Sequence, residues 1–180
     1  MVIKDFIPES FKVFLQNLIN SSNFEWYYNK NCTTEGQDGI FQFVHVIANE
    51  QGYLSPEYDK LKPLLYFFEM HTGLKVKGIR RMKVNLLTQR DLPEDTNKLA
   101  IHTDVSLQET DFVSFIYYVN DSDGDTTLYN SDKTEIVERA SPIAGNCFWF
   151  KSNQFHNATP PKNHQTRIVI NCILQIESIE

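Results

Sequence analysis

The chain has 180 residues, 41% of them hydrophobic and 22% charged, with a formal net charge of -6. That size and composition suit one ordinary globular domain and argue against a disordered chain. The acidic balance argues against a general binder of phosphate backbones, and no apolar run is long enough to make a transmembrane helix.

The segment Pro8 to Ile19 reads as a helix: Phe11, Phe14, Leu15, Leu18 and Ile19 recur at helical spacing, and Pro8 suits the first turn. Residues 24–29 and 40–47 are aromatic and β-branched and read as strands. A second helix starts at Ser55-Pro56, carries Tyr58, Leu61, Leu64, Leu65 and Phe68 on one side, and stops near Gly73. Beyond Gly73 the pattern changes to short strand-like runs at 76–88, 99–105, 112–119, 126–130, 134–138, 146–150, 154–158 and 166–176, separated by Pro, Gly and Asp turn signals. Many strands without intervening helices indicate a sandwich or barrel. The expected fold is therefore mostly β with N-terminal helices, a single domain over 1–180 with helical support at 1–73 and a barrel core at 75–176.

The Met1–Phe6 start holds Lys4 and Asp5 and lacks the apolar region of a signal peptide. The cysteines Cys32, Cys147 and Cys172 are odd in number and show no CxxC spacing. Together these features read as a cytoplasmic protein without disulfides.

The chemistry concentrates in a few positions. In the run Leu99-Ala-Ile-His-Thr-Asp-Val105, a strand would place His102 and Asp104 on one face, since residues two apart share a side. By itself a His-x-Asp is weak, because each residue is ordinary at a strand end facing water. His156, in the later strand-like run 154–158, supplies a third donor. Two imidazoles and one carboxylate make the facial triad of non-haem Fe(II) oxygenases, which leaves coordination positions open. A closed structural zinc site would want four ligands, usually with Cys, and no Cys lies near in sequence.

Arg167 opens the apolar run 167–174, eleven residues after His156. For an isolated Arg, a strand end with its head in water is the commonplace reading. Here the loop 160–164 allows the strands of His156 and Arg167 to become antiparallel neighbours, so that both point into one barrel. A fixed guanidinium there suits a bidentate carboxylate such as the distal carboxylate of 2-oxoglutarate. Two neutral His and one Asp leave Fe(II) a formal +1, and Arg167 balances the remaining charge of the dianion.

With these residues the chain resembles the Fe(II)/2-oxoglutarate-dependent dioxygenases, specifically the prolyl-4-hydroxylase-like group. The resemblance covers residues 75–176 and, more faintly, the Phe6-Ile7-Pro8 opening. It rests on His102-Thr-Asp104, Phe115-Ile-Tyr-Tyr-Val-Asn120, Gly124-Asp-Thr126, Pro142-x-x-Gly145, Phe148-Trp-Phe150, His156 and Arg167, whose order is more specific than any one motif. The run Met82–Leu87 is also similar to small phage-type members, for which the compartment would be the cytoplasm of an infected host cell.

The resemblance implies a double-stranded β-helix, the jelly-roll or cupin-like barrel. It implies a hydroxylase that uses Fe(II), 2-oxoglutarate and O2, with ascorbate as a further cofactor, and releases succinate and CO2. The substrate would be a peptide or protein residue such as proline, or a small molecule; nucleic acid and membrane are not expected partners. The resemblance also places Tyr118 and Thr126 against the oxoglutarate tail. Asn85 stands where the family often has a further oxoglutarate-binding Tyr, and it takes that role here. Many prolyl hydroxylases carry Lys where this chain has Arg167, and the loop 89–98 is longer than usual in the group, which weakens transfer of proline specificity.

The remaining polar residues read more plainly. His45 fits a core or edge histidine, His71 the last turn of a helix, and His164 an exposed loop. Asp121, Asp123 and Asp125 lack the glycine and glutamate spacing of a calcium loop and read as a turn. Residues 91–125 hold nine acidic side chains and one basic one, Lys98, and read as a solvated rim, with an acidic mouth for basic substrates as the functional alternative. Arg80, Arg81 and Lys83 face solvent or line the substrate side. Two other functions fit a barrel: a cupin-like metal-binding isomerase, which would not need Arg167, and a non-catalytic interaction protein.

Overall fold

The computed structural model describes residues 1–32, 39–91 and 99–177. The segment 92–98, which holds most of the long loop and Lys98, lies outside the described residues. Helix α1 spans Glu9–Ile19 as its periodicity indicates, with Pro8 just before it and Leu15 and Ile19 buried. The second helical segment is divided. A short α2, Tyr58–Leu61, is followed after Lys62 by α3, Pro63–Thr72. Pro63 has no N–H to continue the ladder, so it begins a new helix at the position proline tolerates best. Gly73 ends α3 in the left-handed region, at φ 73°, and its N–H donates to the carbonyl of Glu69 at 2.8 Å.

The strands are β1 Val2–Ile3, β2 Tyr27–Asn29, β3 Gln42–Asn49, β4 Gly52–Tyr53, β5 Val76–Thr88, β6 Phe112–Tyr118, β7 Thr126–Tyr129, β8 Ile136–Ala140, β9 Cys147–Lys151, β10 His156–Ala158 and β11 Thr166–Ile176. A major sheet runs β1-β9-β6-β11-β5-β3-β2, with β4 beside β3, and a minor sheet runs β10-β7-β8. The two sheets make the jelly-roll, mostly β with N-terminal helices. β5 and β11 match the expected runs 76–88 and 166–176 and pair antiparallel at the centre. The two-residue strands β1 and β4 are too short to show a period in sequence.

Two expectations need correction. The first is the strand over 99–105. That segment forms one isolated bridge, His102 to His156, and binds its neighbours at three spaced amides: Leu99 to Ala158 at 2.9 Å, His102 to His156 at 3.0 Å, and Asp104 to Ser152 at 2.9 Å. It follows the edge of β10 without a continuous ladder. The second concerns His156 and Arg167, whose strands are not neighbours: β10 pairs with β7, whereas β11 pairs with β5 and β6. The two residues approach from different sheets across the interior.

Alternation along the central strands divides the work. Met82 and Val84, Phe115 and Tyr117, and Ile168, Ile170, Cys172 and Leu174 face the helices and join Leu15, Ile19, Leu61, Leu64 and Phe68 in the main core. Phe68 stacks on Phe115 with centroids 5.3 Å apart. Each fully buried side chain of this size contributes about 1.5–3 kcal/mol, so the helices fix the major sheet from outside. The interleaved positions Lys83, Asn85, Ile116, Arg167, Val169 and Asn171 line a cavity between the sheets. Cys147 and Cys172 are buried free thiols. Among the described residues no helix is long and apolar enough to cross a membrane.

Candidate active site

The cavity has a volume of about 490 Å³ and is lined by His102, Asp104 and His156 at one part of its wall and by Arg167 and Thr126 at another. Potential ligand atoms of His102, Asp104 and His156 all lie within 4.8 Å of one another. Both imidazoles are oriented by local backbone. His102 Nδ1 lies 2.9 Å from the carbonyl of Ala100, and His156 Nδ1 lies 2.9 Å from that of Gln154. A carbonyl only accepts, so Nδ1 carries the proton on each ring and Nε2 keeps its lone pair. In His156 that atom lies 3.5 Å from Asp104 Oδ2. This is the tautomer a metal requires, with ring orientation set by the partner of the other nitrogen.

Asp104 is held at both oxygens. The Ser114 hydroxyl donates to Oδ2 at 2.6 Å and lies 2.8 Å from Ser152 Oγ; Arg81 Nη2 donates to Oδ1 at 3.2 Å. Burial raises the carboxyl pKa, but His156, Arg81, the Ser114 hydroxyl and His102 together outweigh it, and Asp104 stays below its ordinary value. Burial depresses His156, more than Asp104 raises it, so the ring is neutral near pH 7. Two imidazole nitrogens and a carboxylate on one side of an open space form a donor set that fits Fe(II).

Across the interior, Arg167 is 3% exposed. Its Nε donates to the carbonyl of Gly124 at 2.6 Å and its Nη2 to Thr126 Oγ1 at 2.7 Å, and neither bond uses Nη1. The Tyr118 hydroxyl lies 2.9 Å from Thr126 Oγ1 and 3.2 Å from the Ala140 carbonyl, with its ring 5.8 Å from the guanidinium carbon. Burial pushes the Tyr118 phenol up to about 12, so it remains a neutral donor. Burial also lowers Arg167, against the pull of Tyr118 and Asp125. Arg167 and Thr126 line the cavity, as does Asn85, whose buried Oδ1 has no partner among the described residues.

Residues 87–175 match the model of the 2OG-Fe(II) oxygenase superfamily. The chain belongs to that superfamily. This oxygenase is a 2-oxoglutarate-dependent dioxygenase whose cofactors are Fe(II) and 2-oxoglutarate. Its fold is similar to a Pseudomonas putida prolyl-4-hydroxylase at 14% identity and TM-score 0.60, covering 99% of this chain and 92% of that one. It is similar to a 2OG-Fe(II) oxygenase family oxidoreductase from Burkholderia pseudomallei at 13% identity and TM-score 0.70, covering 97% and 84%. It is also similar to a Trichoplax adhaerens prolyl hydroxylase in complex with a hypoxia inducible factor peptide fragment, at 18% identity and TM-score 0.63, covering 97% and 82%. No curated protein sequence matches the oxygenase.

The other singled-out residues lie elsewhere. His45 is buried against Phe24, its ring centroid 4.8 Å away, and His71 Nε2 lies 2.9 Å from the Phe6 carbonyl. Asp123 accepts from the Asn163 amide at 2.8 Å and lies 3.0 Å from His164 Nδ1, so it clamps the loop ahead of β11 and is used up in the turn. The basic trio separates. Arg80 sits at a β-bulge, skipped where Arg81 pairs with Ile173 and Ile79 with Leu174, and it turns to Glu109 and Glu50. Arg81 and Lys83 line the cavity. The roles of Ser114, Ser152 and Arg81 around Asp104 were not visible in sequence, because each depends on a cross-strand pairing that no local pattern encodes.

Proposed function

We propose that His102, Asp104 and His156 hold Fe(II) in this oxygenase and that Arg167 receives the distal carboxylate of 2-oxoglutarate. Thr126 and Tyr118 brace Arg167 and offer hydroxyls to the same carboxylate, and Asn85 flanks it. The observation that carries this reading is Arg167 itself: a cation buried in the wall of the triad's cavity, whose hydrogen bonds to Gly124 and Thr126 use Nε and Nη2. A buried charge of this kind needs an anionic partner. A dianion bridging Arg167 and a metal site of net charge +1 balances the charge.

The chain's own residues bind and orient. Ala100 and Gln154 fix the two imidazoles, Ser114 and Arg81 fix the carboxylate, and Ile116 and Val169 add an apolar patch to the wall between them and Arg167. When bound, the iron supplies the redox chemistry by which O2 and 2-oxoglutarate give succinate, CO2 and a hydroxylated substrate carbon. The substrate is a protein or peptide residue such as proline, the reading that the Trichoplax enzyme's peptide complex supports, or a small molecule. The absence of disulfides among the described residues fits a reducing cytoplasm. Succinate release from 2-oxoglutarate with Fe(II), screened over peptides and small acids, tests the proposal. Release lost in Asp104→Ala and in Arg167→Met supports it; turnover of a substrate without 2-oxoglutarate overturns it.

A further inference from the structure

Binding of metal and co-substrate leaves part of the cavity's charge unexplained. Lys83 on β5 stands directly across the ladder from Asn171 on β11, and Arg81 follows two residues along the same face. Opposed side chains in such a ladder begin about 4.5–5.5 Å apart at Cβ. Among the described residues, Arg81 Nε and Asn171 Oδ1 are buried without a hydrogen-bond partner. Arg81 spends Nη2 on Asp104, at 3.2 Å, and that bond leaves Nε unsatisfied. Two cations thus share one wall with one carboxylate among the described cavity-lining residues, Asp104, already committed to the triad. This wall is distinct from the Arg167 end: Arg167 pairs across the ladder with Leu87, four residue pairs beyond Lys83 and Asn171. It continues toward Asn31 and Cys32 at the side of the cavity.

We infer that Lys83, Arg81 and Asn171 form a second anion subsite, which binds an oxyanion, carboxylate or phosphate, on the substrate to be hydroxylated. The inference rests on the proposed oxygenase reading and adds the substrate class to it. Two like charges on one wall repel in the empty cavity, and burial lowers the Lys83 ammonium to about 8, with Arg81 next in effect and Asp104 and Cys32 opposing. An arriving oxyanion relieves both costs, and Asn171 Oδ1 accepts a hydrogen bond from an adjacent hydroxyl or amine of the same molecule. A substrate of this kind is a small hydroxy or amino acid, or its phosphorylated counterpart. A neutral peptidyl proline offers Lys83 carbonyl oxygens but no oxyanion to balance its charge.

The test is calorimetry under anaerobic conditions on protein loaded with Mn(II) and 2-oxoglutarate, at fixed ionic strength. The probes are glycolate, its neutral analogue glycolamide, and inorganic phosphate. The expected result is that glycolate or phosphate binds at least tenfold more tightly than glycolamide, the tighter of the two assigning the subsite to carboxylate or phosphate. Lys83→Met abolishes that preference, Lys83→Arg restores most of it, and Mn(II) and 2-oxoglutarate affinities stay within threefold of wild type. Asn171→Leu serves as a second variant, expected to weaken glycolate, should Lys83→Met fail to fold. Equal binding of glycolate and glycolamide overturns the subsite. Loss of 2-oxoglutarate affinity in Lys83→Met also overturns it, by giving Lys83 to the co-substrate. Failure of the wild type to bind 2-oxoglutarate at all is a different result, and it removes the oxygenase assignment beneath.

Discussion

Gly124 and Arg167 are in direct contact. The guanidinium Nε donates to the Gly124 carbonyl at 2.6 Å, and a Cβ built on Gly124 would lie 3.0 Å from Arg167 Cδ and 2.1 Å from the Thr159 carbonyl oxygen. The glycine of the β6–β7 connection is thus required first by the Thr159 backbone and then by the Arg167 side chain, 43 residues later in the chain. Gly124→Ala forces the Thr159 backbone or Arg167 to move. Overpacking of this kind costs about 1–3 kcal/mol. The expected outcome is a lower melting temperature and oxoglutarate binding weakened by about tenfold, with Fe(II) affinity changed far less. Melting curves and anaerobic oxoglutarate titration check it; a variant with wild-type oxoglutarate affinity would show that Arg167 does not depend on this contact.

Arg167→Met keeps the length and apolar stem but removes the charge. A charge-assisted hydrogen bond is worth about 1.5–3 kcal/mol, and about 1.4 kcal/mol is tenfold. Oxoglutarate should bind at least about a hundredfold more weakly, with Arg167→Lys between the variant and wild type because one point charge replaces the fork. Fe(II) affinity should stay near wild type. Near-normal oxoglutarate binding in the Met variant would bring the cupin-like isomerase to the front.

Ser114→Ala removes the 2.6 Å hydrogen bond that holds Asp104 Oδ2 without touching a proposed ligand. Residues that orient a metal ligand typically affect affinity by about 10–100-fold. The expected loss of Fe(II) affinity is near tenfold, with oxoglutarate affinity at saturating metal unchanged. Metal titration of Ser114→Ala beside Asp104→Ala, which should lose iron altogether, gives the comparison; equal losses would make Ser114 as essential as the carboxylate.

Lys83 gives a pH signature. Its folded pKa of about 8 lies below the ordinary 10.5. Where both folded and unfolded chains are protonated, below about pH 8, burying this charge costs stability. Between about pH 8 and 10.5 the folded chain loses its proton first, and the cost fades. Lys83→Met should therefore melt above wild type at pH 7, by roughly 2–8 °C for about 1–2 kcal/mol in a chain of this size. The difference should shrink toward zero by about pH 10.5. A gap of the same size at both pH values would assign the gain to packing rather than to relief of a buried charge.

The parts of the molecule legible in the sequence were those with a period or an order. β5 and β11 are apolar, β-branched runs of 13 and 11 residues bounded by turn residues, and the strands 76–88 and 166–176 follow from those runs. The triad residues and Arg167 were recognisable as types in order along the chain. Their geometry was less so. His102 and Asp104 do not sit on a regular strand, since single amide bonds to His156 of β10 and to Ser152 just past β9 hold them, and a lone bridge leaves no hydrophobic period. His156 and Arg167 meet across two sheets, and local turn chemistry says nothing about sheet membership. The split at Pro63 was visible as a proline, but the apolar positions on either side continue one helical pattern. Lys83 and Arg81 were noted as alternating charges; only pairing with β11 shows that both enter the cavity.

The alternation on β11 also bears on how such a chain can diversify. Ile168, Ile170, Cys172 and Leu174 hold the helices, while Arg167, Val169 and Asn171 face the cavity. Because the two sets are interleaved yet point opposite ways, changes in one set need not be compensated in the other. A saturation library over 167–172 should therefore separate into two alternating classes, one that loses folded protein and one that more often keeps it while changing what the cavity accepts; Ile173, packed on Val105 and Phe112, belongs with the first. New substrate preferences are then reachable by single steps at every second residue, without passing through unfolded intermediates in sequence space.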